Sequence, residues 1–171
     1  MNLMRREVTG TSPVVVTVAQ PMDPTPGAPT PAREIFALRR VSVVLAADND
    51  RFRAGMVRAL RRRADTELLC EVPAGRAALA AAREFRPDVL VVDDRLPGLS
   101  GPEVARAVAT DPDLRRVRIL ILSAGNRDAE RDRARLAGAL DLVDKSRTRD
   151  ELCDTIVAAA RTPPRSWHLL A

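Results

Sequence analysis

Four polar side chains occupy equivalent places in a repeating pattern, each at the end of an apolar run: Asp48, Asp93, Ser123 and Lys145. The run before Asp93, residues 89–92, is unbroken and mostly β-branched, as expected of a strand buried on both faces of a parallel sheet. Because the carboxyl ends of parallel strands meet at one edge of an open sheet, we expect the four side chains to converge. Asp48 or Ser123 taken singly could equally cap the helix that follows.

These residue types suit chemistry on a phosphoryl group. Two carboxylates are hard oxygen ligands of the kind that Mg²⁺ prefers, with waters and phosphate oxygens completing its octahedron. A hydroxyl and an ammonium beside them would hold phosphoryl oxygens, and a carboxylate can accept a phosphoryl group as a mixed anhydride. Lys145 is the only lysine among 28 basic residues, which favours a need for a compact ammonium charge.

The elements that must position these side chains follow from the hydrophobic pattern. From residue 41 onward, apolar runs alternate with segments of helical periodicity. We predict strands over 41–46, 67–72, 89–92, 119–122 and 140–143, and helices over 51–63, 75–85, 102–110, 128–136 and 149–160. Five repeats of strand then helix indicate an α/β fold with a doubly wound parallel sheet.

The length of 171 residues allows one globular domain plus tails. We place the domain at 39–161. Residues 1–38 contain six prolines, which forbid a continuous helix and predict a disordered extension, or a segment upstream of the start codon that is used, with Met22 as another candidate start. Residues 162–171 form a short tail.

Composition argues against several partners. The net charge is +5, but arginines are mixed with acids along most segments and the chain has no tyrosine, so we expect no direct binding of nucleic acid. No apolar run reaches the roughly 18 residues needed to span a bilayer. Cys70 and Cys153 lie far apart in apolar surroundings, which is typical of small core side chains in a reducing compartment. We therefore predict a cytoplasmic protein.

Residues 93–101, Asp-Asp-Arg-Leu-Pro-Gly-Leu-Ser-Gly, resemble the phosphoacceptor loop of the receiver domains of two-component response regulators. Residues 119–124 are similar to the fourth strand of that family, with its hydroxyl residue at Ser123. Residues 138–145 are similar to the fifth strand, with its lysine at Lys145. The resemblance covers about 41–161 and implies the flavodoxin-like receiver fold, a five-stranded parallel sheet in the order 2-1-3-4-5.

The resemblance also implies a role for each residue. Asp93 would be the phosphoacceptor, and Asp48, Asp93 and the backbone carbonyl of Arg95 would bind Mg²⁺. Ser123 and Lys145 would hold the phosphoryl group. A sensor histidine kinase is the implied donor. Such a protein is not an enzyme toward other substrates, since it promotes only its own phosphoryl transfer and hydrolysis.

Two positions depart from the family pattern. Ala47 stands where receivers usually carry the first of two adjacent acids, so we expect Mg²⁺ binding to be weakened more than abolished. Leu142 stands where the family usually has an aromatic switch residue. Without that ring, we expect an altered or absent signal from Ser123 to the surface of the fourth helix, fifth strand and fifth helix. A homodimer contact is implied at the same surface.

Three functions remain open. The first is a stand-alone receiver, phosphorylated on Asp93 and acting on an unknown effector protein, because about ten residues after Arg161 are too few for a helix-turn-helix output domain of roughly 60. The second is a degenerate receiver that binds a protein independently of phosphate, which Ala47 and Leu142 favour. The third, another flavodoxin-like enzyme or nucleotide binder, is disfavoured because no glycine-rich phosphate loop follows the first strand.

Overall fold

The computed structural model describes residues 39–125 and 128–163. Five strands alternate there with five α-helices. The strands are β1 (Val41–Ala46), β2 (Thr66–Val72), β3 (Val89–Asp93), β4 (Arg118–Ser123) and β5 (Asp141–Asp144). The helices are α1 (Asp50–Arg62), α2 (Gly75–Phe85), α3 (Gly101–Thr110), α4 (Asp128–Leu136) and α5 (Arg149–Arg161), and a 3₁₀ turn over Pro112–Leu114 precedes β4.

The strands form one parallel sheet in the order β2-β1-β3-β4-β5. This confirms the doubly wound sheet and the strand order that the sequence predicted. The chain leaves β1 toward β2 in one direction and continues from β3 toward β5 in the other. The carboxyl ends of β1 and β3 therefore flank the point at which an open α/β sheet places its ligands.

Alternate residues of the central strands supply two separate cores. On one face Val44, Leu90 and Ile121 pack with α2, α3 and α4. On the other face the next residues along the same strands pack with α1 and α5. All five residues of β3 are buried, which explains why its sequence is an unbroken apolar run rather than an alternating one.

Half of the observed bounds agree with the predicted ones and the other half differ by one residue, and capping explains where α1 and α3 begin. The Asn49 side chain accepts the Phe52 N–H at 2.8 Å, so α1 begins at Asp50. Ser100 forms a capping box with Glu103, so α3 begins one residue before Pro102. Asp93 and Ser123 are the last residues of their strands rather than the first residues after them.

The two cysteines differ in burial, although each packs against a hydrophobic core. Both are free, and Cys153 is buried as expected. Cys70 is only half-buried, because it lies on β2 at the edge of the sheet.

Two predicted terminal segments lie largely beyond this region. The N-terminal extension 1–38 and residues 164–171 of the tail fall outside the described residues. Among the helices that the structure describes, none is long and apolar enough to cross a membrane.

Gly75, the first residue of α2, touches the loop that follows β3. Its N–H donates to the Pro97 carbonyl at 3.1 Å, and a Cβ at this position would overlap the Leu99 carbonyl oxygen. Because the added Cβ would clash with backbone atoms and not with a flexible side chain, the helix or the loop would have to move. We expect Gly75→Ala to lower the free energy of unfolding by roughly 1–3 kcal/mol in urea denaturation.

A matched glycine provides the control for this change. A Cβ at Gly125 would meet only the Glu130 carboxylate, at 3.8 Å. We expect Gly125→Ala to change the free energy of unfolding by less than about 0.5 kcal/mol. Equal losses for the two variants would contradict a specific contact between α2 and the loop.

Candidate functional site

Asp93 lies at the centre of the predicted site and is 3% exposed. It ends β3, which is enclosed between β1 and β4. Its Oδ2 accepts a hydrogen bond from Nζ of Lys145 in an ion pair, and its Oδ1 faces the backbone N–H of Arg95 at 3.4 Å. The sequence therefore places an acid inside the fold, with a cation as its partner.

The electrostatic balance of Asp93 is set by its burial. Burial raises the pKa of the Asp93 carboxyl above its ordinary value, although the ion pair with Lys145 acts in the opposite direction. The negative charge of Asp48 raises this pKa further. The two carboxylates are thus close enough to repel each other, and a cation between them would relieve that repulsion.

Lys145 follows β5 and reaches across the neighbouring strand. Its backbone N–H donates to the Ser123 carbonyl at 2.9 Å, which fixes the start of the side chain beside β4. Its ammonium lies 5.1 Å from the centroid of the Phe52 ring and pairs with Asp93 on β3. The side chain therefore connects strands separated by β4.

Ser123 ends β4 and is 6% exposed. Its Oγ accepts the Gly125 N–H at 3.3 Å, so the hydroxyl proton is free to be donated elsewhere. An open cleft of about 390 Å³ covers this strand end, lined by Asp94, Arg95, Ser123, Ala124, Gly125 and Glu130. Because residues from the ends of both β3 and β4 line it, an anion in the cleft would lie next to the predicted site.

The loop after β3 is held close to the sheet. The Asp94 N–H donates to the Leu122 carbonyl at 2.8 Å, and the Gly101 N–H donates to the Asp94 carbonyl at 2.9 Å. A Cβ at Gly101 would lie 2.6 Å from the Asp93 carbonyl oxygen, so only glycine fits there without a shift. These contacts fix the backbone that carries Asp93 and Arg95.

The loop after β1 carries Ala47 and Asp48. Ala47 is fully buried, whereas Asp48 is exposed. Sequence reasoning missed Arg53, which donates to the Ala47 carbonyl at 2.6 Å and forms ion pairs with Asp50 and Glu71. Arg53 lies three residues after Asp50, on the same side of the first helical turn, and this spacing could have indicated the ion pair with Asp50.

Leu142 is buried in β5, within the core shared with α2, α3 and α4. Nearby, Arg131 and Arg135 of α4 each approach a carboxylate oxygen of Asp141 at 3.4 Å, which ties α4 to the start of β5. An aliphatic side chain therefore fills the predicted switch position. The altered switch stays a prediction.

The matching family model provides an independent comparison. The model of the response regulator receiver domain matches residues 43–157. The chain belongs to this family. The probable transcriptional regulatory protein NarL of Mycobacterium tuberculosis strain H37Rv is 34% identical over 122 residues, which cover 71% of this chain and 56% of that relative. The chain thus spans about half the length of this relative.

Solved structures of receiver domains agree with the family assignment. The signal receiver domain of NarL from M. tuberculosis has a TM-score of 0.69 at 34% identity, covering 73% of this chain and 99% of that one. The receiver domain of the sensor histidine kinase PA1611 from Pseudomonas aeruginosa PAO1 has a TM-score of 0.64 at 26% identity, covering 72% and 99%. That domain was determined with a magnesium ion coordinated in its active site cleft.

The raised pKa of Asp93 leads to a prediction about stability. The folded state favours the protonated carboxyl, so acid stabilises the fold, and this contribution is lost as pH rises from below the unfolded pKa through the higher folded one. In chelator at neutral pH, we expect Asp93→Asn to raise the melting temperature, because the amide removes a buried charge. The gain should shrink at mildly acidic pH.

Asp94→Asn is the matched control for this measurement. Asp94 lines the open cleft, so the same substitution there should leave the melting temperature nearly unchanged. A loss of stability in Asp93→Asn at neutral pH would show instead that the ion pair with Lys145 outweighs the cost of burying the carboxylate.

Proposed function

We propose that this receiver accepts a phosphoryl group on Asp93 and signals through a protein partner. The observation that supports the proposal is the ion pair between buried Asp93 and Lys145, the only lysine of the chain, beside the cleft that Ser123 lines. A buried acid with a raised pKa and a specific cationic partner is typical of a functional site.

The proposed reaction transfers a phosphoryl group from a histidine nitrogen of the kinase to a carboxylate oxygen of Asp93. A carboxylate oxygen of Asp93 attacks the phosphorus of a phosphohistidine on a sensor histidine kinase, the P–N bond breaks, and an acyl phosphate forms. The ammonium of Lys145 then pairs with a phosphoryl oxygen, and the Ser123 hydroxyl donates to another. Later attack by water on the phosphorus breaks the P–O bond to Asp93, releases inorganic phosphate and restores the carboxylate. No other substrate is turned over in this scheme.

Mg²⁺ is the cofactor that this donor set fits. Asp48, Asp93 and the Arg95 carbonyl would supply protein oxygens, and the mutual repulsion of the two carboxylates favours a cation between them. Within 39–125 and 128–163, no group of three or more acid, histidine or cysteine side chains could hold a metal, so the ion would keep several waters. When bound, Mg²⁺ would offset negative charge on the phosphoryl group.

The partners in this proposal are a sensor histidine kinase as donor and an effector protein as target, and we place the receiver itself in the cytoplasm. The surface formed by α4, β5 and α5 is the proposed place of output or of a homodimer contact. Leu136, the last residue of α4, is 86% exposed at this surface.

The alternative is a receiver that binds its partner without phosphorylation. Two observations favour it. Ala47 leaves only Asp48 at the end of β1, and an aliphatic core residue, Leu142, fills the switch position. Under this alternative, partner binding does not depend on Asp93.

Phosphorylation distinguishes the two functions. We expect incubation with a small acyl phosphate and Mg²⁺ to add the mass of one phosphoryl group, measured by intact mass spectrometry. Asp93→Ala should abolish the gain because it removes the nucleophile, whereas Asp94→Ala should retain it. If no mass is gained at any practical Mg²⁺ concentration, the phosphate-independent function is favoured. If partner binding requires phosphorylation, the phosphate-independent function is excluded.

Ala47 provides a test of the proposed metal site. We expect Ala47→Asp to tighten Mg²⁺ binding by about 10- to 100-fold in calorimetric titration, because it adds a carboxylate next to Asp48. Ala74→Asp is the control, since it adds the same charge at the N-cap of α2, a position where Asp is favourable. Equal affinities for wild type and Ala47→Asp would show that Ala47 does not face the metal.

A further inference from the structure

Two cations lie over the same aromatic ring beside the site. Nζ of Lys145 is 5.1 Å from the centroid of the Phe52 ring, and Cζ of Arg149 is 4.2 Å from it. Phe52 belongs to the first turn of α1, Arg149 begins α5, and Lys145 lies in the loop between β5 and α5. The ring therefore connects two helices to the lysine that pairs with Asp93.

The Arg149 side chain crosses α1 at a glycine. A Cβ at Gly55 would stand 3.2 Å from Nε of Arg149, so a larger residue would press against the guanidinium. The planar guanidinium suits contact with an aromatic face. The backbone N–H of Phe52 is held separately by the Asn49 side chain. The ring is thus held at its backbone and covered by a second cation.

Lys145 needs such support because its side chain is long and flexible. It must extend from β5 across β4 to reach Asp93, and an unconfined lysine populates many rotamers. The negative face of a phenyl ring attracts an ammonium and excludes water from one side of it. We propose that Phe52, with Arg149 packed over it, is a positioning residue that confines Lys145 to the rotamer paired with Asp93.

The proposal concerns where the Lys145 side chain lies in the unphosphorylated protein. The phosphoryl transfer proposed above gives Phe52 no role. The proposal depends on the observed ion pair and ring contacts. It can therefore be tested in the unphosphorylated protein, whether or not Asp93 accepts a phosphoryl group.

A single-residue probe is available because the chain has one lysine. In protein grown with isotopically labelled lysine, the only lysine side-chain signals in the NMR spectrum come from Lys145. We expect its Hε protons to show a ring-current shift that Phe52→Leu removes and Phe52→Tyr keeps. Arg149→Gln should reduce the shift, because the ring then lacks the guanidinium that packs over it.

Phe85→Leu is the matched control. Phe85 ends α2 and is 40% exposed, and the same substitution there should leave the lysine signal unchanged. We also expect Phe52→Leu to slow phosphorylation of Asp93 by about three- to tenfold, with recovery in Phe52→Tyr.

Three results would overturn the proposal. One is a lysine signal in Phe52→Leu that matches the one in Phe85→Leu. Another is slower phosphorylation with an unmoved lysine signal, since that indicates a structural role for Phe52. The third is a Tyr variant that fails to restore the signal. If the wild type accepts no phosphoryl group, the proposed function fails, while the lysine signal still decides the role of Phe52.

Discussion

The site depends on one electrostatic constraint, a carboxylate enclosed by the fold. The carboxyl end of β3 lies between two neighbouring strands, and burial costs the ionised form of Asp93 more than Lys145 returns, as the raised pKa of the carboxyl indicates. Lys145 lowers this cost without removing it, and Asp48 adds to it. A cation bound beside Asp93 would reduce this cost.

Arginine side chains make contacts at two places near the site, the loop after β1 and the Phe52 ring. The guanidinium of Arg53 contacts the Ala47 carbonyl and pairs with Asp50 and Glu71. Arg149 adds a further positive charge over the Phe52 ring. Because Arg53 is paired with two carboxylates, its charge is balanced locally, and Lys145 is the cation that acts on Asp93.

The chain shares its fold with the receiver family. Receiver domains with known structures superimpose over nearly their whole length on this chain. Within that shared frame, Leu142 contributes to the core, and α4 is tied to β5 through Asp141. A core aliphatic residue has no polar group to exchange between a buried and an exposed position. Leu142 therefore contributes apolar packing, and no polar contact, between β5 and the helices on that face.

The sequence by itself determined the order of the elements and the meeting of Asp93 and Lys145, because apolar periodicity marks the strands and parallel strands end at a common edge. It did not determine how deeply each polar residue is enclosed. Asp48 and Asp93 both follow apolar runs, yet only Asp93 is buried. The pairing of Arg53 with Glu71 and the contacts of the Phe52 ring with two cations were equally hidden. They join residues from different elements, so they depend on how α1 and α5 dock on the sheet, which hydrophobic periodicity leaves undefined and only tertiary packing decides.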